Sequence, residues 1–221
     1  MHPATAEPDT LADVLHALGD VPAHRVIWRN IGRATEEDMV RLLNGHPKRR
    51  VELVDGVLVE KPMGGRESYL AFALTGYLFA YKQTHNIGVF GAPDASMRLR
   101  AGLVRLPDIH FTDWANIPGN SAHLRPVVDY PPDLAVEILS DSDRPGMTAR
   151  KLREYFAAGT RVVWVIDPLA RTVDIYSDPA DPDAYSTRTA TDTLDCQALL
   201  PGFALPLGDL FGDPQVNPRQ P

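Results

Sequence analysis

Three residues have types and positions that could do chemistry together: Asp108, Glu137 and Lys151. Asp108 follows Pro107 in the run LVRLPDIHF, and strand alternation puts it on one face with Leu106 and His110. Glu137 sits in the middle of DLAVEILS, an almost wholly apolar run that reads as a buried strand. A buried, ionised carboxylate is costly unless it is paired or binds a cation. Two of them on strands of one sheet repel each other, and a divalent metal is the simplest relief. The plainer alternative pairs each acid separately with an arginine such as Arg98 or Arg100, which serves one acid better than both. Lys151 is preceded by Arg150, and Tyr155 at i+4 shares its helix face beside Met147. Packed on the sheet, that helix delivers the lysine amine near Glu137. Left exposed, it gives a solvated lysine paired with Glu154, and spacing alone favours this second reading.

The elements that must position these residues are legible in outline. TLADVLHAL has the apolar spacing of a short helix. Thr35 caps a second one, with Glu36, Glu37 and Asp38 in its first turn and Met39, Val40, Leu42 and Leu43 on its buried side. RVELVDGVLVEKP reads as two strands joined at Asp55-Gly56, a strong hairpin signal. Glu67 to about His85 is helical and broadly apolar. GVFGAP, ASMRLRAG and LVRLPDIHFTD follow as strands. PPDLAVEILS, the helix MTARKLREYFAA stopped by Gly159, and TRVVWVIDP then form a right-handed strand–helix–strand crossover. RTVDIYS pairs with the last of these, a strand near Tyr185 to Thr189 extends the edge, and LLPGFALPLGDLF closes the chain. The spacing predicts an α/β fold with a mixed sheet flanked by helices, preceded by a helical segment and a β-hairpin. One domain spans 11–211, between loose polar, proline-rich tails at 1–10 and 212–221.

Composition narrows the function. With 221 residues and 44% hydrophobic content, a sizeable core is available. No apolar run approaches the ~20 residues of a membrane helix, the N-terminus lacks a secretory pattern, and a single cysteine excludes an internal disulfide framework. A cytoplasmic, membrane-free protein is expected. The net charge of -7 argues against gripping long stretches of nucleic acid by phosphate neutralisation alone, but not against acids gathered round metal ions. Asp141-Ser142-Asp143 with Gly146 hints at a calcium loop, yet Leu152 stands where the closing glutamate belongs. No glycine-rich phosphate loop is present, the seven histidines form no ligand pair at helical spacing, and Cys196 has no zinc partners, which leaves it an inert filler.

From about residue 35 to 211 the chain resembles the Uma-type restriction endonuclease family of the PD-(D/E)-x-K nuclease superfamily. The resemblance is carried by VELVDGVLVEKP, the helix with Glu67, LPDIHF, PPDLAVEILSDSDR, ARKLREYFAAGTRVVWVIDP, RTVDIYS and LLPGFALPLGDLF, in that order. It implies a restriction-endonuclease-like fold in which Asp108 is the acid of the PD element and Glu137 the second acid. The superfamily's lysine usually lies two residues after that acid, where this chain has Leu139; Lys151, on the next helix, matches the displaced lysine of this family. The resemblance further implies that Asp108 and Glu137 hold Mg²⁺, with Mn²⁺ as a substitute, while Lys151 assists the attacking water in cutting DNA. Glu52, Glu67 and Tyr155 are candidates to line the same cleft. Glu67 reads more simply as a solvated acid at a helix start, and Ser68 stands where the family often has histidine. Covering an exposed strand edge, in the hairpin or the C-terminal segment, and cutting two strands both suit a homodimer. Two other classes stay open: a non-enzymatic interaction module on a nuclease scaffold, favoured by the acidic charge, and a carboxylate-pair glycosidase, which needs neither lysine nor metal.

Overall fold

The computed structural model describes residues 10–120 and 125–212, so the tails expected at either end lie outside the described residues except for Thr10 and Gly212. Thr10 caps α1 (Leu11–Ala17): its hydroxyl accepts from the Asp13 amide while the Asp13 carboxylate accepts from the Thr10 amide. After a short strand, β1 (Val26–Ile27), Thr35 and Asp38 repeat that reciprocal cap at α2 (Glu36–Leu43). Met39 and Leu43, one turn apart, are its buried residues. The expected hairpin is β2 (Val51–Val54) and β3 (Val57–Glu60). Both turn residues have positive φ, 48° at Asp55 and 77° at Gly56, as a tight two-residue hairpin requires. Gly56 also has no room for a side chain, since a Cβ there would lie 2.6 Å from the Gly32 carbonyl carbon. Helix α3 (Gly65–Thr84) buries Leu70, Leu74 and Leu78 but leaves Tyr69, Phe72 and Phe79 exposed.

Beyond β4 (Gly88–Gly91) and β5 (Ser96–Arg100) the structure departs from the expectation. LVRLPDIHFTD is two strands, β6 (Leu103–Arg105) and β7 (Ile109–Asp113), and they belong to different sheets. Pro107 has no amide hydrogen to offer a ladder, so the chain changes sheets there. The remaining elements are β8 (Val127–Val128), β9 (Leu134–Ile138), α4 (Pro145–Ala158), β10 (Val162–Asp167), β11 (Thr172–Tyr176), β12 (Ser186–Thr189), β13 (Thr193–Cys196), β14 (Leu200–Pro206) and α5 (Leu207–Phe211). One six-stranded sheet runs β1-β3-β2-β6-β5-β8 and a second runs β12-β11-β10-β9-β7-β4, with β13-β14 as a separate pair. The fold is therefore the expected α/β arrangement, with two mixed sheets in place of one. The hairpin is not an edge, because β1 pairs with β3 and β6 with β2. The crossover is present as predicted: β9 and β10 are parallel, joined by α4, and Gly159 ends that helix at φ 104°.

Among the described residues, the three largest apolar clusters pack on the faces of the sheets. Met39 and Leu43 of α2 pack on Val51, Leu53 and Leu58 at the outer face of the first sheet. Its other face, with Val54, Val57 and Val59, meets Met147, Leu152 and Tyr155 of α4 together with Ala135, Val163 and Val165 of the second sheet. On the far side of that second sheet, Leu134, Val136, Ile138 and Trp164 pack under α3, β14 and α5. Strand β9 thus alternates between two cores, with Ala135 in the layer between the sheets and Leu134, Val136 and Ile138 in the outer one. No helix among the described residues is long and apolar enough to cross a membrane.

The second sheet also contains a buried histidine. Burial holds the His110 pKa down at about 4, so the folded state keeps the ring neutral where an unfolded chain protonates it near the ordinary histidine value of 6.5. Between those values the unfolded state binds the extra proton, and stability must fall as pH falls through that window, by on the order of 3 kcal/mol at its lower end. Urea melts of wild type and His110→Leu at pH 7.5, 6.5, 5.5 and 4.5 should show this loss in the wild type and a smaller one in the variant. Parallel pH profiles would refute the assignment.

Candidate active site

The site lies between the two sheets, and its parts come from both. Asp108 leaves the Pro107 break and is clamped to β9 at two points. Its amide donates to the Val136 carbonyl at 2.9 Å, and its Oδ2 accepts from the Ile138 amide at 2.9 Å. These two bonds flank Glu137 and seat the two acids side by side. Alternation along β9 turns the Glu137 carboxylate away from the outer core and towards α4. There Met147, Lys151 and Tyr155 recur at i, i+4 and i+8, all buried, so one face of α4 lies over the acid. Lys151 Nζ donates to Glu137 Oε2 at 2.7 Å and the Tyr155 hydroxyl donates to Oε1 at 2.7 Å. The solvated reading of Lys151 is thereby overturned: Glu154 pairs with Arg105 and Arg150 instead.

The cations facing the two acids are not Arg98 or Arg100, the partners of the plainer alternative. Arg98 pairs with Glu36 and Asp129, and Arg100 with Asp55. The partner that sequence reasoning missed is Lys61, just past the end of β3. Its ammonium lies 3.1 Å from Asp108 Oδ1, 2.8 Å from Glu137 Oε2 and 2.6 Å from the Leu106 carbonyl oxygen. The two carboxylate oxygens are therefore no more than about 6 Å apart, bridged by the one ammonium. A weak signal for Lys61 existed, since alternation puts it on the face of Val57 and Val59, but a lysine at a strand end ordinarily reads as solvated.

Glu52 joins the same network. It accepts from Arg105 at 2.7 Å and from the Leu106 amide at 3.2 Å, with Lys151 3.5 Å away. Charges thus alternate in sign along one line, buried through Arg105, Glu52, Lys151, Glu137, Lys61 and Asp108 and ending, 3.5 Å from Asp108, at the partly buried Arg50. Glu67, although buried, is not brought in: its carboxylate folds back over Gly64, and no hydrogen bond or ion pair joins it to this line of charges among the described residues. Cys196 is buried with a free thiol whose pKa burial pushes up, as suits a filler.

The electrostatics follow from that alternation. Burial pushes the Glu137 carboxyl up, but Lys151 and Lys61 outweigh it and hold its pKa below the ordinary carboxylate value. Glu52 behaves alike: burial opposes its charge, and Lys151, Arg105 and Lys61 overcome that cost. Burial pulls Lys61 down, yet Asp108, Glu137 and Glu52 together hold it above its usual range. Burial and the neighbouring Glu137 push the Tyr155 phenol well up, so it stays a donor. A cavity of about 20 Å³ opens beside Glu137, Asp143, Met147, Thr148 and Lys151, room for about one water.

Hard divalent cations take oxygen ligands, and Mg²⁺ often binds through one or two carboxylates with water and substrate phosphate completing its shell. No group of three or more His, Cys, Asp or Glu side chains among the described residues is arranged as a full cage. Two carboxylates and the Leu106 carbonyl do converge on one point, which the Lys61 ammonium holds. The donor chemistry fits a magnesium-type ion at that point.

Residues 36–208 match the family Uma2, described as "Putative restriction endonuclease". The fold is similar to the crystal structure of a "putative nuclease belonging to DUF820" from Anabaena variabilis, with a TM-score of 0.64 and 21% identity, over 80% of this chain and 97% of that one. At that identity the likeness speaks for the fold. No curated protein matches the chain.

The charge network predicts a contrast in stability. Arg105→Met removes the nearest cation of the buried Glu52 and should lower the unfolding free energy by about 3 kcal/mol, the scale of breaking a buried ion pair. Arg100→Met removes a half-exposed partner of Asp55 and should cost under about 1 kcal/mol. Equal losses in chemical denaturation would mean that burial does not set the strength of this network.

Proposed function

The chain belongs to the Uma2 family, described as "Putative restriction endonuclease", and from that premise we propose that it is a nuclease, a Mg²⁺-dependent endonuclease that hydrolyses DNA phosphodiester bonds. The observation that carries this reading is the convergence of Asp108 and Glu137 on one cation position, with the Lys151 ammonium hydrogen-bonded to the same Glu137 oxygen. Asp108 and Glu137 would hold the ion, with Mn²⁺ as a substitute. Once bound, such an ion polarises a phosphoryl oxygen and lowers the pKa of an attacking water. The Ile138 amide fixes the Asp108 carboxylate while the Asp108 amide anchors its backbone to Val136, and the Tyr155 hydroxyl fixes Glu137, so neither acid must reorganise during the reaction. Lys151, set beside the small cavity, orients the water and offsets negative charge growing on the phosphoryl oxygens. The water oxygen bonds to phosphorus and gives up a proton as the bond to the leaving sugar oxygen breaks, and that oxygen takes up a proton in exchange.

If Lys151 acts on water or charge and not as a ligand, Lys151→Ala should still bind Mn²⁺ and lower DNA cleavage by ~10²-fold or more. Asp108→Ala should lose both properties. Plasmid, linear, single-stranded and branched DNA, each with Mg²⁺ or Mn²⁺, provide the assay, and a Lys151→Ala protein that cuts at the wild-type rate would remove the assigned role. A second reading, an interaction module on a nuclease scaffold, draws on the closure of the site: both Glu137 oxygens are engaged by the chain's own donors. Failure of a folded, metal-binding wild type to cut any of these substrates would favour it.

A homodimer is part of the proposal, and α3 offers its surface. Tyr69, Phe72, Gly76 and Phe79 recur at helical spacing, with Phe72 and Phe79 78% and 59% exposed. No charge interrupts the stripe, and an aromatic ring stands one turn to either side of Gly76, where an added Cβ would meet nothing. A two-fold axis through Gly76 would set each Phe72 near the partner's Phe79, the self-complementarity an isologous interface needs. Light scattering should give a dimer for wild type and a monomer for Phe72→Ser/Phe79→Ser. A monomeric wild type would refute it.

A further inference from the structure

The buried Lys61 has no part in the reaction just described, although it touches both acids assigned to the ion. We propose that Lys61 is a built-in counter-ion for the metal position, and that a divalent cation enters by exchanging with its ammonium. This rests on the reading of Asp108 and Glu137 as the ion's ligands. The ammonium donates to the Leu106 carbonyl at 2.6 Å and to Glu137 at 2.8 Å, and pairs with Asp108 at 3.1 Å. Lys151 reaches Glu137 and lies near Glu52, and Arg50 stands 3.5 Å from Asp108, so among these cations only Lys61 bridges the two acids.

An ammonium and a divalent ion cannot share that point. Magnesium needs oxygens at roughly 2.0–2.1 Å, and the two cations would repel at contact distance. The lysine therefore does two things in the resting protein. It relieves the repulsion between Asp108 and Glu137, which would otherwise have to be met by an ion. It also sets a threshold on metal binding, because each entering ion must break three charge-assisted or carbonyl contacts before making its own. The side chain can leave without disturbing the acids, since Asp108 keeps its two backbone bonds and Glu137 keeps Lys151 and Tyr155.

The test measures metal binding in the absence of DNA, so it is independent of cleavage. Mn²⁺ titrations of the full chain, followed by electron paramagnetic resonance, compare wild type with Lys61→Met, Lys61→Gln and Lys151→Met. Both Lys61 variants should bind Mn²⁺ about tenfold or more tighter than wild type, and Lys151→Met should gain less. Their melting temperatures should fall in metal-free buffer and recover with Mn²⁺ by more than the wild type's shift. Adding Glu137→Gln should abolish the gain. Wild type and Lys61 variants binding equally well would overturn the exchange while leaving the metal reading intact. No binding by any of them would overturn both. If neither Lys61 variant folds, the wild type labelled at lysine nitrogen provides the answer. Mg²⁺ should shift the Lys61 ammonium signal strongly and the Lys151 signal less, and a Lys61 signal unmoved at saturating Mg²⁺ would overturn the proposal.

Discussion

The arrangement depends on one constraint: three carboxylates, Glu52, Asp108 and Glu137, are removed from water and must each meet positive charge within the protein. Desolvating an ion costs several kcal/mol, and only close, hydrogen-bonded partners offset it. The response is a line of alternating charges from Arg105 to Arg50, assembled from both sheets and from α4. Every element that contributes to it is held in register. A slip of one residue in β9 would turn Glu137 into the apolar layer under α3 and bring Val136 or Ile138 against the lysines. The polar network therefore selects the pairing as strictly as the hydrophobic layers do.

Pro107 is the device that brings the two sheets to a common point. A continuous strand from Leu103 to Asp113 would have stayed in one sheet. The break hands the chain from β6 to β7 across three residues, and all three are used. The Leu106 carbonyl faces the Lys61 ammonium, Pro107 interrupts the ladder, and Asp108 is bonded on both sides of Glu137. A PD element therefore has a mechanical meaning here: the proline ends one strand so that the acid after it can sit against another.

The network also shows how a lysine on α4 reaches Glu137, where the position two residues after that acid holds Leu139. The residue two positions on, Leu139, packs with the inter-sheet layer, and its amide closes the strand by donating to Ile166. The parallel crossover lays α4 over β9 and β10, and one face of the helix supplies both Lys151 and Tyr155 to opposite oxygens of the same carboxylate. A helix-borne amine reaches the acid as well as a strand-borne one, provided the helix packs with that face inward.

What the sequence determined by itself is the local grammar and the family. The reciprocal caps at Thr10 and Thr35, the Asp55-Gly56 turn, the crossover around α4 and the acids of LPDIHF and DLAVEILS are all written within a few residues, because dihedral preference and side-chain period act at that range. Lys151 beside Tyr155 was legible as a helix face, but not which way that face pointed. The tertiary structure alone decided that it points inward, that LVRLPDIHFTD serves two sheets, that Glu67 turns aside, and that Lys61 bridges Asp108 and Glu137. Lys61 and Glu137 are 76 positions apart. A charge pair at that distance leaves no periodic trace in the chain, since its energy depends on desolvation and proximity that exist only once the two sheets have packed.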